Sequence, residues 1–405
     1  MKETMKVLVV HNRYQQRGGE DAVVEAETRL LAANGIDVQR YDADNDAIRG
    51  LVSKIQVSSS QFGIPTHAMS EFRRALFGFR PDVVHVHNWF PTLSPSIFNI
   101  CRSANVPVVH TLHNYRLLCA GATMFRDGHV CEDCVGTTLR MPGIVHSCYR
   151  NSFAGSAVAT AGMLAHWSIG TWRRSIDRFI ALTQFARRKL VDGGLPVDKV
   201  IVKPNFVDPD PGIGSGRGGY FLFAGRLAEE KGLRVLLNCW KGQPDLPLLV
   251  IAGVGPLEDE VRQALATMAN VQWVGGCSNE EILELMRNAS ALLCPSQWYE
   301  GMPRVVIESF AVGTPVIASC IGCYPEMIVD GDSGALFPPG DADALRIRLH
   351  DLLERRALTA MRAKARLCFE SSYTGDKNYT LMLNVYRSLL HAGKMVPARP
   401  VPART

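Results

Sequence analysis

The chain is poor in charge, poor in aromatic residues and free of long apolar runs. Charged residues make up 20% of its 405, too few for a disordered polyelectrolyte, and 47% hydrophobic content suits a globular enzyme. Neither a collagen period, a coiled-coil heptad nor a short internal repeat is visible. A net charge of +5 is too mild to point to a nucleic-acid partner. No signal-peptide pattern stands at the start, since Met1–Met5 carries charge and the apolar run Lys6–Val10 is only a strand long. Eleven cysteines, an odd number mostly scattered as singles, argue against a disulfide framework. The expectation is a reducing, cytoplasmic protein.

One uncharged stretch, Ala154–Trp172, is rich in Ala, Gly, Ser and Thr and contains His166. It reads as a buried helix, with a membrane-contacting helix as the alternative. The charge itself is uneven. Through Asn205 there are 24 Lys/Arg against 17 Asp/Glu, and from Phe206 onward 20 against 22. A basic first half suits an anionic ligand or membrane surface, unless its arginines are simply solvated. Arg73, Arg74, Arg80, Arg173 and Arg174, with Phe72, Phe77 and Phe79, would form such a patch. That implies peripheral contact at the inner face of an anionic membrane.

At about 150 residues per domain, the length predicts two or three domains. Strands are predicted at Lys6–His11, Ile36–Tyr41, Asp82–His87 and Val106–Leu112, with helices at Glu20–Asn34 and Pro95–Ala104. The same alternation returns at Tyr220–Ala224, Leu248–Ala252, Val271–Val274, Ala291–Cys294, Pro315–Ala318 and Ala335–Phe337. Strands alternating with helices mean parallel sheets covered on both faces. The seam is Lys203–Gly219, rich in Pro, Gly and Asp. Predicted domains are therefore 1–205 and 206–372, both α/β and doubly wound. A helix in 373–393 crosses back to the first, and 394–405 is a disordered tail. Two such domains leave a cleft between the carboxyl ends of their sheets, where ligands bind.

Chemistry is expected just after strands. Gly18 and Gly19 follow the first strand and open a helix, which suits an anion; a Gly-Gly pair is also often just a turn. They are not a GxGxxG fingerprint, which argues against nicotinamide binding. Arg226 and Lys231 flank the loop after Tyr220–Ala224, and two fixed cations can neutralise a diphosphate. The alternative is a solvated pair. The strongest run is Glu300-Gly301-Met302-Pro303-Arg304-Val305-Val306-Ile307-Glu308. Pro303 suits the first turn of a helix, leaving the Arg304 and Val305 N–H groups for phosphate. Glu300 and Glu308 can accept from sugar hydroxyls.

Glu300 and Glu308 at this spacing resemble the family 4 retaining glycosyltransferases of GT-B fold. So do Gly225-Arg226 and Lys231, Pro204-Asn205 and Gly313-Thr314-Pro315-Val316-Ile317-Ala318. The resemblance is strongest from Tyr220 to Pro339. It implies two Rossmann-like domains facing a central cleft, a first domain on the acceptor side and a second that binds a nucleotide-sugar donor. It implies Arg226 and Lys231 on the donor diphosphate, Glu308 on the ribose and Glu300 on the donor sugar. The backbone of Gly275, Gly276 and Cys277 would meet the base, and Gly18 and Gly19 would approach the phosphate. His113, in Thr111-Leu112-His113-Asn114, matches the family's sugar-contacting histidine. Met302 departs from the family, which often has Phe there. The implied acceptor is lipid-linked or a saccharide, and no cofactor is required for catalysis. A GT-B-like epimerase and a non-catalytic binding protein are the rivals. A phosphorylase would need a pyridoxal-phosphate lysine, and none is obvious.

Four histidines, His85, His87, His110 and His113, cluster around two strands. His85 and His87 share one strand face, so either a metal site or simple packing at the cleft rim is expected. The first domain also carries an insertion, about 117–150, with Cys119, Cys131, Cys134 and Cys148 spaced C-x11-C-x2-C-x13-C. Four thiolates at that spacing suit a structural zinc; an iron–sulfur cluster or free thiols are the alternatives.

Overall fold

Val7–Val10 is apolar on both strand faces and entirely buried. A strand of that kind needs cover on both sides, which a parallel sheet with helices above and below supplies. The computed structural model describes residues 4–13, 18–44, 58–64 and 66–394. In it β1 is Lys6–Arg13, β2 Asp37–Asp44, β3 Val83–Val86, β4 Val108–Leu112, β5 Phe125–Arg126, β6 His129–Val130, β7 Arg178–Ala181 and β8 Val200–Val202. Six of these form an all-parallel sheet in the order β2-β1-β3-β4-β7-β8, while β5 and β6 make a separate antiparallel hairpin. The second sheet holds β9 (Tyr220–Ala224), β10 (Leu248–Ala252), β11 (Val271–Gly275), β12 (Ala291–Cys294), β13 (Val316–Ser319) and β14 (Gly334–Phe337). Its order is β11-β10-β9-β12-β13-β14, also all parallel. That is the doubly wound dinucleotide-fold order, and the first sheet follows the flavodoxin-like variant.

Each sheet has an apolar layer on both faces. Phe72, Phe98, Trp172 and Phe179 fill one side of the first sheet. Val24 and Leu31 of the helix Gly19–Ala33 cover the other, together with Met382, Tyr386 and Leu389. Those last three belong to the helix Gly375–Lys394, so the end of the described chain packs on the first sheet. Phe310 and Phe369 fill one face of the second sheet, and Leu233, Trp240 and Leu349 the other. Each such large side chain stabilises by about 1.5–3 kcal/mol relative to exposure.

Some expectations change. Phe72 is fully buried in the core and offers nothing to a membrane, although Phe77 is 53% exposed. Ala154–Trp172 is not one buried helix. It is the helix Phe153–Ser168 followed by the short turn of helix Thr171–Arg174; Trp172 is buried, while Phe153 and Ile169 are exposed. Pro303 is the N-cap of the helix Arg304–Ala311 rather than its first residue. Among the described residues no helix is long and apolar enough to cross a membrane. The expected tail lies outside the described residues, apart from Lys394.

Candidate active site

In the second sheet the order reverses between β9 and β12, and in the first between β1 and β3. Ligands bind at such switch points, beyond the carboxyl ends of the strands. Gly225–Lys231 leaves β9 and Pro295–Met302 leaves β12, so both carry their charges to this place. Gly232 brings the two loops together. It has φ +74°, and a Cβ there would fall 1.8 Å from the Pro295 carbonyl oxygen. Only glycine fits both conditions.

Lys231 Nζ donates to Glu300 Oε1 at 2.6 Å. Ser296 Oγ donates to the same oxygen at 3.1 Å and meets Tyr324 OH at 2.9 Å. Lys231 also lies over the Trp298 ring, 5.4 Å from its centroid. Burial opposes the Lys231 charge, yet the Glu300 carboxylate outweighs it and holds the ammonium above its ordinary range. Glu300 is only 7% exposed, so it is a packed and paired group, not a free one in an open cleft. Glu308 is also buried, with Arg304 Nε 2.9 Å from its Oε1. Burial raises the Glu308 carboxyl and Arg304 offsets part of that rise. Each glutamate thus stands beside its own cation, which removes the repulsion that two bare carboxylates would exert on a phosphate. Arg226 is exposed and has no ion pair among the described residues. Pro303 contributes no side-chain cap to the helix it opens, which follows directly on the loop from β12.

His113 follows β4 and is bonded through Nε2 to His87 Nδ1 at 3.0 Å, ring on ring. His87 Nε2 lies 3.3 Å from Glu27 Oε2, and Glu27 Oε1 takes Lys203 Nζ at 2.5 Å. Asn378 of the last helix completes the Lys203 site at 3.2 Å. The facing atoms, Glu27 Oε2 and His87 Nε2, are both buried and make no hydrogen bond. In the His87–His113 contact one ring nitrogen donates and the other accepts, and the tautomer decides which. Burial pushes His113 down to about 3, with the charges of His11 and Lys203 assisting. The ring is therefore a neutral hydrogen-bonding group near pH 7.

Glu27, His85 and His87 place three candidate ligand atoms within 4.8 Å of one another. The surroundings oppose a metal there. Both His85 nitrogens are engaged, with Tyr386 OH and Thr111 Oγ1 at 2.7 Å each, and the Lys203 ammonium already occupies Glu27. This is a buried hydrogen-bonded network. Glu27 and Lys203 escaped the sequence reading. The available signal was Glu27 on the apolar face set by Val23, Val24, Leu30 and Leu31, where a carboxylate needs a buried partner.

Gly18 N–H is taken by Asp21 Oδ2 at 2.8 Å, and Asp21 also binds His11 Nε2 at 2.8 Å. Gly19 has open space where a Cβ would be. Gly275 ends β11, Gly276 packs near Val254, and the Cys277 thiol faces the Gly275 carbonyl at 3.8 Å. These three lie on the far edge of the second sheet, two strands from Lys231.

The two domains touch around Glu300. A Cβ at Gly301 would lie 2.7 Å from the His113 carbonyl oxygen, so the domains meet backbone to backbone here. Thr183 Oγ1 donates to Gly301 O at 3.4 Å, and Asn205 N–H contacts Met302 Sδ at 3.1 Å. Glu326 accepts from the Gln184 and Phe185 N–H groups at 2.6 and 2.9 Å, capping the helix Gln184–Asp192 from across the cleft. Tyr299 OH donates to Glu132 of the insertion at 2.8 Å. On the first domain a cavity of ≈ 220 Å³ is lined by Phe90, Arg116, Tyr149 and Arg150, with the Arg116 guanidinium 4.0 Å from the Phe90 ring centroid. Cys119, Cys131, Cys134 and Cys148 gather at a smaller, adjoining cavity, with Cys148 lining both.

Two doubly wound domains, with paired cations and carboxylates where the strand order reverses, define the GT-B glycosyltransferase architecture. The sequence comparisons carry this to a family. Residues 17–211 match "Glycosyltransferase Family 4" and residues 214–367 match "Glycosyl transferases group 1". The chain belongs to the family 4, group 1 glycosyltransferases. It is 30% identical over 241 residues to a phosphatidyl-myo-inositol mannosyltransferase of Mycobacterium leprae, covering 56% of this chain and 63% of that protein. It is 25% identical over 384 residues to a D-inositol 3-phosphate glycosyltransferase of Corynebacterium diphtheriae, covering 82% of each. Sucrose-phosphate synthase from Thermosynechococcus elongatus shares its fold, with TM-score 0.70 and 16% identity, over 96% of this chain and 100% of that one. Anabaena HepE, solved in complex with UDP, does so with TM-score 0.68 and 14% identity, over 95% and 100%.

Proposed function

We propose that this chain is a retaining glycosyltransferase. It moves a sugar from a UDP- or GDP-linked donor to an acceptor hydroxyl held by the first domain, in polysaccharide or glycolipid synthesis. The observation that carries the reading is the Lys231–Glu300 pair at 2.6 Å, set at the second sheet's switch point and next to Gly301, whose backbone approaches the His113 carbonyl. Arg226, Lys231 and the N–H groups of Arg304 and Val305 stabilise the diphosphate as charge grows on it. Glu308 accepts from the ribose hydroxyls, Glu300 from the donor sugar, and His113 meets a sugar hydroxyl as a neutral ring. The base lies by Gly276 and Cys277, and Gly19 stands on the phosphate side of the first domain. Reaction on one face of the sugar gives a product with the anomeric configuration of the donor. The cavity of Phe90, Arg116, Tyr149 and Arg150 receives the acceptor, its rings offering stacking faces and its guanidinium groups suiting an anionic lipid-linked or saccharide acceptor.

The test is a donor panel of UDP-, GDP- and ADP-sugars with the purified protein. Release of the nucleoside diphosphate and an α product from an α donor support the reading. An inverted product would overturn retention. A changed sugar still linked to the nucleotide would indicate an epimerase, and binding without turnover a non-catalytic protein.

A further inference from the structure

The insertion between β4 and the helix Phe153–Ser168 brings four thiols to one place. Cys119 lies in a tight turn, its N–H donating to Tyr115 O at 2.9 Å. The hairpin of β5 and β6 closes where Cys131 N–H donates to Met124 O at 2.9 Å, and its exit carries Cys131 and Cys134. Cys148 is held from the other side, its N–H on Gly143 O at 3.1 Å. All four line one cavity of ≈ 20 Å³, about the room of a single water or ion. None is in a disulfide.

We propose that Cys119, Cys131, Cys134 and Cys148 bind one zinc ion in a closed, four-thiolate structural site. Two ligands from a Cys-x-x-Cys at a hairpin exit and one from each flanking turn are a donor set that selects zinc over harder cations. No three of the four sulfurs lie within 4.8 Å of one another. A tetrahedral zinc with Zn–S near 2.3 Å holds its sulfurs about 3.8 Å apart, so the ion draws the thiols inward. With every position filled by protein, the ion has no place for substrate.

The site has a consequence for the cleft. Glu132 sits between the two cysteines of the Cys-x-x-Cys. It accepts from Tyr299 OH at 2.8 Å and binds Lys189 Nζ at 2.7 Å. Tyr299 is the residue before Glu300. A metal that fixes Cys131 and Cys134 therefore fixes the brace running from the first domain to the loop that carries Glu300.

The experiment is metal analysis of tag-free, full-length protein made in zinc-supplemented medium and purified without chelator. Cobalt exchange and thiol titration of the same sample accompany it. The proposal expects about one zinc per chain, a cobalt form with thiolate charge-transfer bands and tetrahedral ligand-field bands, and four thiols shielded until the metal is removed. Cys131→Ser loses most of the metal, whereas substitution of the exposed Cys320 by Ser leaves it unchanged. If Cys131→Ser does not fold, the cobalt spectrum of the wild type decides alone. Iron in place of zinc, a cobalt spectrum without thiolate bands, full metal in Cys131→Ser, or a metal-free protein with four freely titrating thiols overturns the proposal. None of these readouts depends on glycosyl transfer, so a negative donor panel leaves them interpretable.

Discussion

Glu308 and Gly301 test the site from opposite sides. Glu308 stands next to Arg304 on the helix that opens toward the cleft, and in the proposed reaction it holds the ribose in ground and transition states alike. Glu308→Ala should weaken donor affinity about 10- to 100-fold, the equivalent of roughly 1.5–3 kcal/mol for a charged hydrogen bond, with a smaller effect on turnover. Calorimetric donor titration beside turnover checks this, and unchanged affinity would remove Glu308 from the ribose site. Gly301→Ala puts a Cβ 2.7 Å from the His113 carbonyl, which backbone cannot absorb without a shift. Turnover should fall at least tenfold through misplacement of Glu300. Wild-type turnover in a folded Gly301→Ala protein would show that the domain contact at His113 does not set the geometry. At this scale the positions of Arg226, Lys231, Glu300 and Glu308 were legible because each lies in the loop after a readable strand or within a readable helix. Lys203 was not, because its partner Glu27 is 176 positions away and nothing local announces it.

The strands β3 and β4 carry a pH dependence. Burial lowers His85 and His87 well below the ordinary histidine range, and it pushes His110 down to about 4 and His113 to about 3. The unfolded chain takes up protons near pH 6.5 that the folded chain refuses. Stability from these groups is complete above that value and is lost as the pH falls below it. Each of His110 and His113 should cost about 1 kcal/mol at pH 5.5 relative to pH 7.5, and the cluster several. Urea midpoints from pH 7.5 to 5.5 measure it; a midpoint that holds or rises on acidification contradicts the buried neutral network. Several short strands and the helices His67–Phe79, Gln184–Asp192 and Ala357–Ser372 were not read from the sequence. β7 and β8 are four and three residues long, and the hairpin strands two each. β7 and β8 pair beside β4 at the end of the first sheet, so neighbouring strands template them. The helix Gly19–Ala33 and strands such as β1, β4 and β9 were legible because their apolar patterns are long.

As a whole, the molecule is two sheets tied together by the last helix and by contacts across the cleft. Met382, Tyr386 and Leu389 cover the first sheet, while Asn378 and Tyr386 reach into the Glu27–His85 network. The two-sheet organisation was readable from the strand–helix alternation alone; the pairing of distant groups across it was not, since it depends on strand order. The basic first domain also carries a whole-molecule prediction. Arg73, Arg74, Arg173 and Arg174 are exposed, with Phe77 beside Arg73. Binding to vesicles containing anionic lipid should be measurable at low salt and fall steeply toward 0.5 M, at roughly 1 kcal/mol per engaged arginine. Equal binding to neutral vesicles, or none at low salt, would retire the membrane contact.

The central claim is that Lys231 and Glu300 act on a nucleotide-sugar at the cleft. The most direct measurement is donor turnover by the wild type, Lys231→Ala and Glu300→Gln over the UDP-, GDP- and ADP-sugar panel, with thermal melts on the same samples. The wild type should turn over at least one donor. Each variant should lose about 100-fold or more and still unfold cooperatively, if the pair acts as proposed. Wild-type rates in folded Lys231→Ala and Glu300→Gln would contradict it.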